Sequence, residues 1–402
     1  MSQSLLFEKH AQALELVRRA GVDLWLTFVR ETSESSDPVL PFLMEGGLTW
    51  QSALIFTGSG KQVAIVGNYD ADPLVASGLW DEVVTYVQGI KSPLIETLEK
   101  LLAGVANPKI AVNFSVNDDK ADGLSHGMYL LLEGYLKGTR FEGTMVSAEE
   151  IVLGLRCIKS AAEVALIREA ISETDILFDL IGKKAAIGVT EMEVFEYVQA
   201  EIESRGFGYA WDKDGDPIVN SGPDSMVGHG RPSSTITIAP GHIFHIDLGI
   251  RKDDYSSDIQ RCWYVPHPGE TSLPEDVVRA TNAVVGAIQA GYKALKPGIE
   301  GWMVDRAARE FLVSAGYEEY QHALGHQVGR MAHDGGALLG PRWERYGRTP
   351  FIPIEKGMVF TIELGVLVEG RGYISLEEIA VVTDSGCEWL TTPQVELPLL
   401  GN

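Results

Sequence analysis

Gly241-His242-Ile243-Phe244-His245-Ile246-Asp247-Leu248-Gly249 and Gly357-Met358-Val359-Phe360-Thr361-Ile362-Glu363-Leu364-Gly365 are two versions of one pattern, 116 residues apart. Both place a carboxylate after an apolar run and before Leu-Gly. A second matched pair precedes them in the same order. Gly188-Val189 through Ser204 and Gly206-Phe207 recurs 110 residues later as Gly298-Ile299 through Ser314 and Gly316-Tyr317. Two ordered matches at nearly equal offsets predict a domain of two related helix-plus-strand halves, an α+β core with an internal pseudo-twofold repeat. The earlier stretch of each copy reads as a helix. Thr190 and Glu193 make a capping box, and Gly206 and Gly316 stand at the C-terminal stops.

Strand side chains alternate, so Phe244, Ile246 and Leu248 share one face and His245, Asp247 and Gly249 the other. Asp247 and Asp258 are equidistant from the polar pair Lys252-Asp253, which predicts a hairpin with the two acids directly opposite each other. Glu363 and Glu377 are equidistant from Gly370, within Glu369-Gly370-Arg371-Gly372. A second hairpin follows, again with paired acids and with Ile362 and Leu364 turned away.

Four carboxylates facing one cavity repel one another, by about 4 kcal/mol per pair at ~4 Å and an effective dielectric near 20. They must be protonated, splayed into water or neutralised by cations. One acid pair in so acidic a chain is ordinarily a solvated hairpin edge. Here each pair lies in an apolar strand and recurs at the repeat-equivalent place. Two divalent ions would balance the four charges. Oxygen ligation with a little imidazole suits Mn²⁺, with Co²⁺ or Zn²⁺ as alternatives.

Seven of the nine histidines fall between residues 229 and 333. His326, beside Gly325, has the setting of a ligand on a tight loop or strand. His322, His333 and His229 stand in neighbouring glycine-rich segments, and His242, His245 and His267 are assigned no role.

The first 150 residues alternate helix and strand patterns, an α/β domain without a catalytic cluster. Thr57-Gly58-Ser59-Gly60-Lys61 is not a phosphate loop, because Ile55 and Gln62 occupy positions that need Gly and Ser or Thr; it reads as a hairpin turn. The pattern changes near 148–158, which divides the chain into residues 1–150 and 156–402. A formal net charge of −23 over 402 residues argues against nucleic-acid or membrane partners. Three scattered cysteines exclude a disulfide scaffold and fit a reducing cytoplasm.

The order Asp247, Asp258, His326, Glu363, Glu377 resembles the five-ligand set of the pita-bread metallopeptidases, over residues ~156–390. The N-terminal α/β domain is similar to that of the proline-specific members and creatinase. The resemblance implies a cytoplasmic, homodimeric Xaa-Pro dipeptidase with two divalent ions. In it Asp247 would bind one ion, Asp258 and Glu377 would bridge both, and His326 and Glu363 would complete one shell. It further implies Glu363 as general base, His229 and His333 at the scissile carbonyl, and His322 in a supporting role. A basic group for the substrate carboxylate is expected in the loop after His333, with Arg348 preferred over Arg342 and Arg345. The alternatives are an Xaa-Pro aminopeptidase acting on longer peptides, a metal-free creatinase-like amidinohydrolase, and a binding module without activity. Three departures from the family pattern bear on substrate anchoring. Ser375 stands where relatives carry Arg, Gln260 where they often carry Thr, and Leu364 where Pro is usual.

Overall fold

The structure, a computed structural model, describes residues 3–226 and 230–401 and comprises two compact units, Met1–Arg156 and Cys157–Asn402. In the first, α1 (Gln3–Arg19), β1 (Leu24–Val29), β2 (Ser52–Thr57), β3 (Gln62–Gly67), α2 (Ala71–Ser77), β4 (Glu82–Tyr86), α3 (Lys91–Leu101), β5 (Ile110–Val112), α4 (His126–Leu136), β6 (Met145–Ser147) and α5 (Glu149–Cys157) follow in order. The strands form one six-stranded mixed sheet in the order β4-β3-β2-β1-β5-β6.

Strand alternation explains why this sheet is covered on both sides. Leu24, Leu26 and Phe28 share a core with Leu94 and Leu98 of α3 and Leu132 and Leu136 of α4. On the other face Trp25 stacks on Phe56, which meets His10 of α1 edge-on. Three layers result, as the α/β pattern predicts. Residues 57–61 are a hairpin turn closed by the Thr57 amide donating to the Lys61 carbonyl.

The second unit contains α6 (Ala161–Lys184), α7 (Glu191–Ser204), β7 (Gly208–Tyr209), β8 (Ile218–Ser221), β9 (Ile243–Leu248), β10 (Ile250–Lys252), β11 (Tyr255–Ser256), β12 (Ile259–Tyr264), α8 (Glu275–Ala294), α9 (Gly301–Ser314), β13 (Val359–Val368), β14 (Gly372–Val382) and β15 (Cys387–Trp389). Capping boxes start α6, through Ser160 and Glu163, and α7, through Thr190 and Glu193. Helices α7 and α9 are both 14 residues long. Each is followed by a glycine at positive φ, Gly206 at 73° and Gly316 at 90°, the left-handed stop that glycine takes at least strain.

The sequence repeat is thus an architectural one. Strands β12-β9-β8 form one three-stranded sheet and β13-β14-β15 another. A buried ion pair stitches the two halves together. Arg261 of β12 donates through Nη1 and Nη2 to both oxygens of Glu378 on β14, at 2.9 and 3.1 Å. Thr391 and the Gln394 amide also donate to that carboxylate. No helix among the described residues is long and apolar enough to cross a membrane.

Candidate metal centre

The two carboxylate hairpins are positioned by register. Glu363 lies directly opposite Glu377 across β13 and β14, and Val368 pairs with Gly372 around the Gly370 turn. The first hairpin corrects the sequence reading. Asp247 pairs with Gln260, not with Asp258, because the turn is centred one residue later, on Asp253-Asp254. Both tip residues take positive φ, 48° and 70°. That left-handed pair gives a two-residue turn whose twist matches the strands, and Asp tolerates it. Moving the turn centre by one residue shifts the pairing by two, which preserves the face on which every side chain stands. Asp258 therefore still joins Asp247, as a diagonal rather than an opposite neighbour.

His326 arrives on a segment that runs alongside β13. Its amide donates to Thr361 Oγ1 at 3.1 Å, and the Thr361 amide donates to its carbonyl at 2.9 Å. Gly325 permits the approach, because a Cβ there would stand 2.0 Å from the Thr361 carbonyl oxygen.

Asp247, Asp258, Glu363, Glu377, His326, His322 and His333 all line one cavity of about 460 Å³. His326 Nε2 lies 3.6 Å from Asp258 Oδ2, 3.5 Å from Glu363 Oε1 and 3.9 Å from Glu377 Oε1. The ring's other nitrogen, Nδ1, faces the Gln327 carbonyl at 3.4 Å, which places the proton there and leaves the Nε2 lone pair facing the carboxylates. Among the described residues, Asp247 Oδ1 and Glu377 Oε1 are buried without a hydrogen-bond partner.

The electrostatics follow from this crowding. Burial pushes Asp247 up to about 7. Burial and the Asp247 charge push Glu363 up to about 8. Burial and neighbouring carboxylates hold Asp258 and Glu377 well above the ordinary range. Burial pulls His326 down to about 3, so its ring is neutral at pH 7. Such a set of inward lone pairs is satisfied only by protons or by a cation. A shared ion ~2.1 Å from each ligand atom would span such separations. The donors present therefore fit a divalent metal, and ligand atoms of Asp258, His326 and Glu377 all lie within 4.8 Å of one another.

The remaining predicted residues divide. The His333 ring packs edge-on against His326, centroids 4.2 Å apart, and His322 packs against Tyr320. His229 lies outside the described residues. Arg348 is exposed and is not among the described residues that line the cavity. Arg345 stacks on Trp343 and Tyr346, and Arg342 on Trp302. Ser375 lines the cavity.

Gln260, a departure from the family pattern, and His245, assigned no role from the sequence, both reach the carboxylate cluster, His245 through Gln260. Gln260 Nε2 donates to Glu363 Oε2 at 2.8 Å and to Glu377 Oε2 at 3.1 Å, and His245 contacts Gln260 from behind. The available signal was parity, since His245, Asp247, Asp258 and Gln260 all belong to the cavity face.

The residue pattern of metallopeptidase family M24 matches residues 165–384, more than half of the chain. The chain belongs to metallopeptidase family M24. Among its relatives is the Xaa-Pro dipeptidase of Pyrococcus furiosus, 31% identical over 252 residues, 62% of this chain and 67% of that one. The match thus spans about two thirds of that relative's length. Among solved structures, the Xaa-Pro dipeptidase from Bacillus anthracis superposes with a TM-score of 0.74 at 23% identity, covering 98% of this chain and 100% of that one. The X-Pro aminopeptidase from Thermotoga maritima gives 0.69 at 24%, covering 97% and 99%. At these identities the structural likeness speaks to the fold, which is the pita-bread fold preceded by an α/β unit.

Proposed function

We propose that this M24 chain hydrolyses Xaa-Pro dipeptides with two divalent ions, Mn²⁺ first among them. Asp247, Asp258, His326, Glu363 and Glu377 would hold the ions. The observation that carries the reading is the convergence of two buried carboxylates, Asp258 and Glu377, two half-buried ones, Asp247 and Glu363, and a neutral imidazole, with two carboxylate oxygens lacking a hydrogen-bond partner among the described residues. When bound, such ions supply a water of lowered pKa and polarise a carbonyl.

The chain's own groups take the remaining tasks. Glu363, which lines the cavity and is held through Oε2 by Gln260, accepts and returns a proton. His333, with His229, donates to the scissile carbonyl oxygen as charge develops there. The apolar wall of Trp211, Ile218, Leu338 and Tyr346 offers a surface to a proline ring. An Xaa-Pro bond has no N–H, so the site needs no acceptor for one. Chelation should abolish release of proline from Xaa-Pro dipeptides and Mn²⁺ should restore it. Full turnover in Asp258→Asn would reject the mechanism. A cytoplasmic homodimer belongs to the same proposal by resemblance, and light scattering tests the dimer.

One observation favours a second reading, an Xaa-Pro aminopeptidase. The described lining residues include five carboxylates and no Lys or Arg, so a dipeptide's own carboxylate would meet no cation among them. Comparing an Xaa-Pro dipeptide, its C-terminal amide and an Xaa-Pro-Xaa tripeptide separates the two.

A further inference from the structure

We infer that Gln260, oriented from behind by His245, is a positioning residue that clamps Glu363 and Glu377 in their metal-binding pose; the inference rests on the metal reading above. One amide nitrogen reaches both carboxylates, at 2.8 and 3.1 Å, and in each case it engages Oε2. The two Oε1 atoms are thereby left turned towards His326, 3.5 and 3.9 Å from Nε2. Gln260 thus divides each carboxylate into one anchored oxygen and one directed inward. Gln260 is itself buried and lies opposite Asp247 in the ladder, so three of the four acids are tied to this residue, two by hydrogen bonds and one by register.

An amide can clamp carboxylates only with its NH₂ towards them, and a free glutamine has no reason to choose that orientation. His245 supplies one. Its Nε2 lies 3.1 Å from Gln260 Oε1, and an N–H there is compatible only with the amide oxygen facing the ring. The ring is held in turn, since Nδ1 lies 3.0 Å from Asn220 Oδ1. Asn220 is fixed by donating through Nδ2 to Ser225 Oγ and to the Met226 carbonyl, at 3.0 and 2.8 Å. Both ring nitrogens face amide oxygens, Asn220 Oδ1 and Gln260 Oε1, so the ring can donate to either. The chain Asn220–His245–Gln260 thus crosses the sheet β8-β9-β12 strand by strand and ends on the two carboxylates of the other hairpin. A threonine at position 260 has no amide with which to bridge them.

The test is titration of the metal-free protein with Co²⁺ alone, read by its visible absorption and by calorimetry. Gln260→Thr should bind Co²⁺ roughly 10–100-fold more weakly, the usual consequence of losing a group that orients metal ligands. Its cobalt spectrum should also change, while its metal-free melting temperature stays near that of the wild type. His245→Leu should weaken binding in the same direction, whereas His245→Gln, which can still donate to Gln260 Oε1, should restore most of it. Wild-type affinity and spectrum in Gln260→Thr would overturn the clamp. If that variant does not fold, equal Co²⁺ affinity in His245→Leu and His245→Gln would overturn it instead. Failure of the wild type to bind Co²⁺, Mn²⁺ or Zn²⁺ would overturn the metal reading itself, a distinguishable result.

Discussion

Replacing Glu363 by Gln should change how the metal-free protein responds to pH. In the folded chain this carboxyl is pushed up to about 8 by burial and by Asp247, against about 4.3 when unfolded. A raised folded pKa stabilises fully below the unfolded value, and that contribution is lost as pH rises through the folded one. Between pH 5 and 7.5 the native state keeps a proton that the unfolded state has released. Wild-type stability therefore falls by about 1.4 kcal/mol per pH unit on account of this residue, or about 3 kcal/mol across the window. The amide of Glu363→Gln does not titrate, so the variant escapes that slope. Buried histidines complicate either curve alone. His245 and His326 have lowered pKa values and so make stability rise with pH up to about 6.5. Both proteins contain them, so they cancel in the difference. With about 2–4 °C per kcal/mol for a unit of this size, the melting temperature of the wild type should drop roughly 6–12 °C relative to Glu363→Gln between pH 5 and 7.5, by calorimetry in chelator. Saturating Mn²⁺ should reverse the order at pH 7.5, because the ion needs the carboxylate that the variant lacks. Parallel curves in the absence of metal would refute the electrostatic account of the cluster.

Other perturbations separate ligation, positioning and specificity. His333→Ala should lower kcat about 10²–10³-fold while leaving bound Mn²⁺, measured by elemental analysis, at the wild-type level. Arg261→Ala strands the buried Glu378 carboxylate and should cost about 3–5 kcal/mol in chemical denaturation, with Glu378→Gln less severe because its amide can still accept from Thr391. Ser375→Arg restores a cation at the cavity wall and should raise kcat/KM for a free dipeptide relative to its C-terminal amide roughly 10–100-fold, the range of a charge-assisted hydrogen bond.

How far the site could be read beforehand depended on how local each constraint was. The opposition of Glu363 and Glu377 follows from counting outward from Gly370, because a glycine marks the turn and the strands flanking it are long. The same counting misplaced Asp258, since nothing in Lys252-Asp253-Asp254 announces which pair will take left-handed φ. Parity survived, because pairing partners on one face differ by even numbers of residues. The role of Gln260 was beyond such reasoning. Its partners lie 103 and 117 residues away, and only the packing of one repeat on the other brings them within reach. Arg348 shows the converse limit, since a loop without periodicity gives no rule for where a side chain ends up.

The duplicated hairpin is also why the site conflicts with the rest of its own unit. Strand alternation that buries Ile246, Leu248, Ile362 and Leu364 necessarily turns Asp247 and Glu363 to the opposite face, and folding one repeat against the other then brings like charges together. Elsewhere in this unit Glu378 is paired with Arg261 and Asp334 with Lys159, while the buried Asp216 and Glu191 accept from backbone amides. In the cavity, among the described residues, four acids converge on a ring with no proton to share and one clamping amide. Four carboxylates that converge from both repeats on a neutral ring and one amide donor have more negative charge than their neighbours can offset, the arrangement a cation suits.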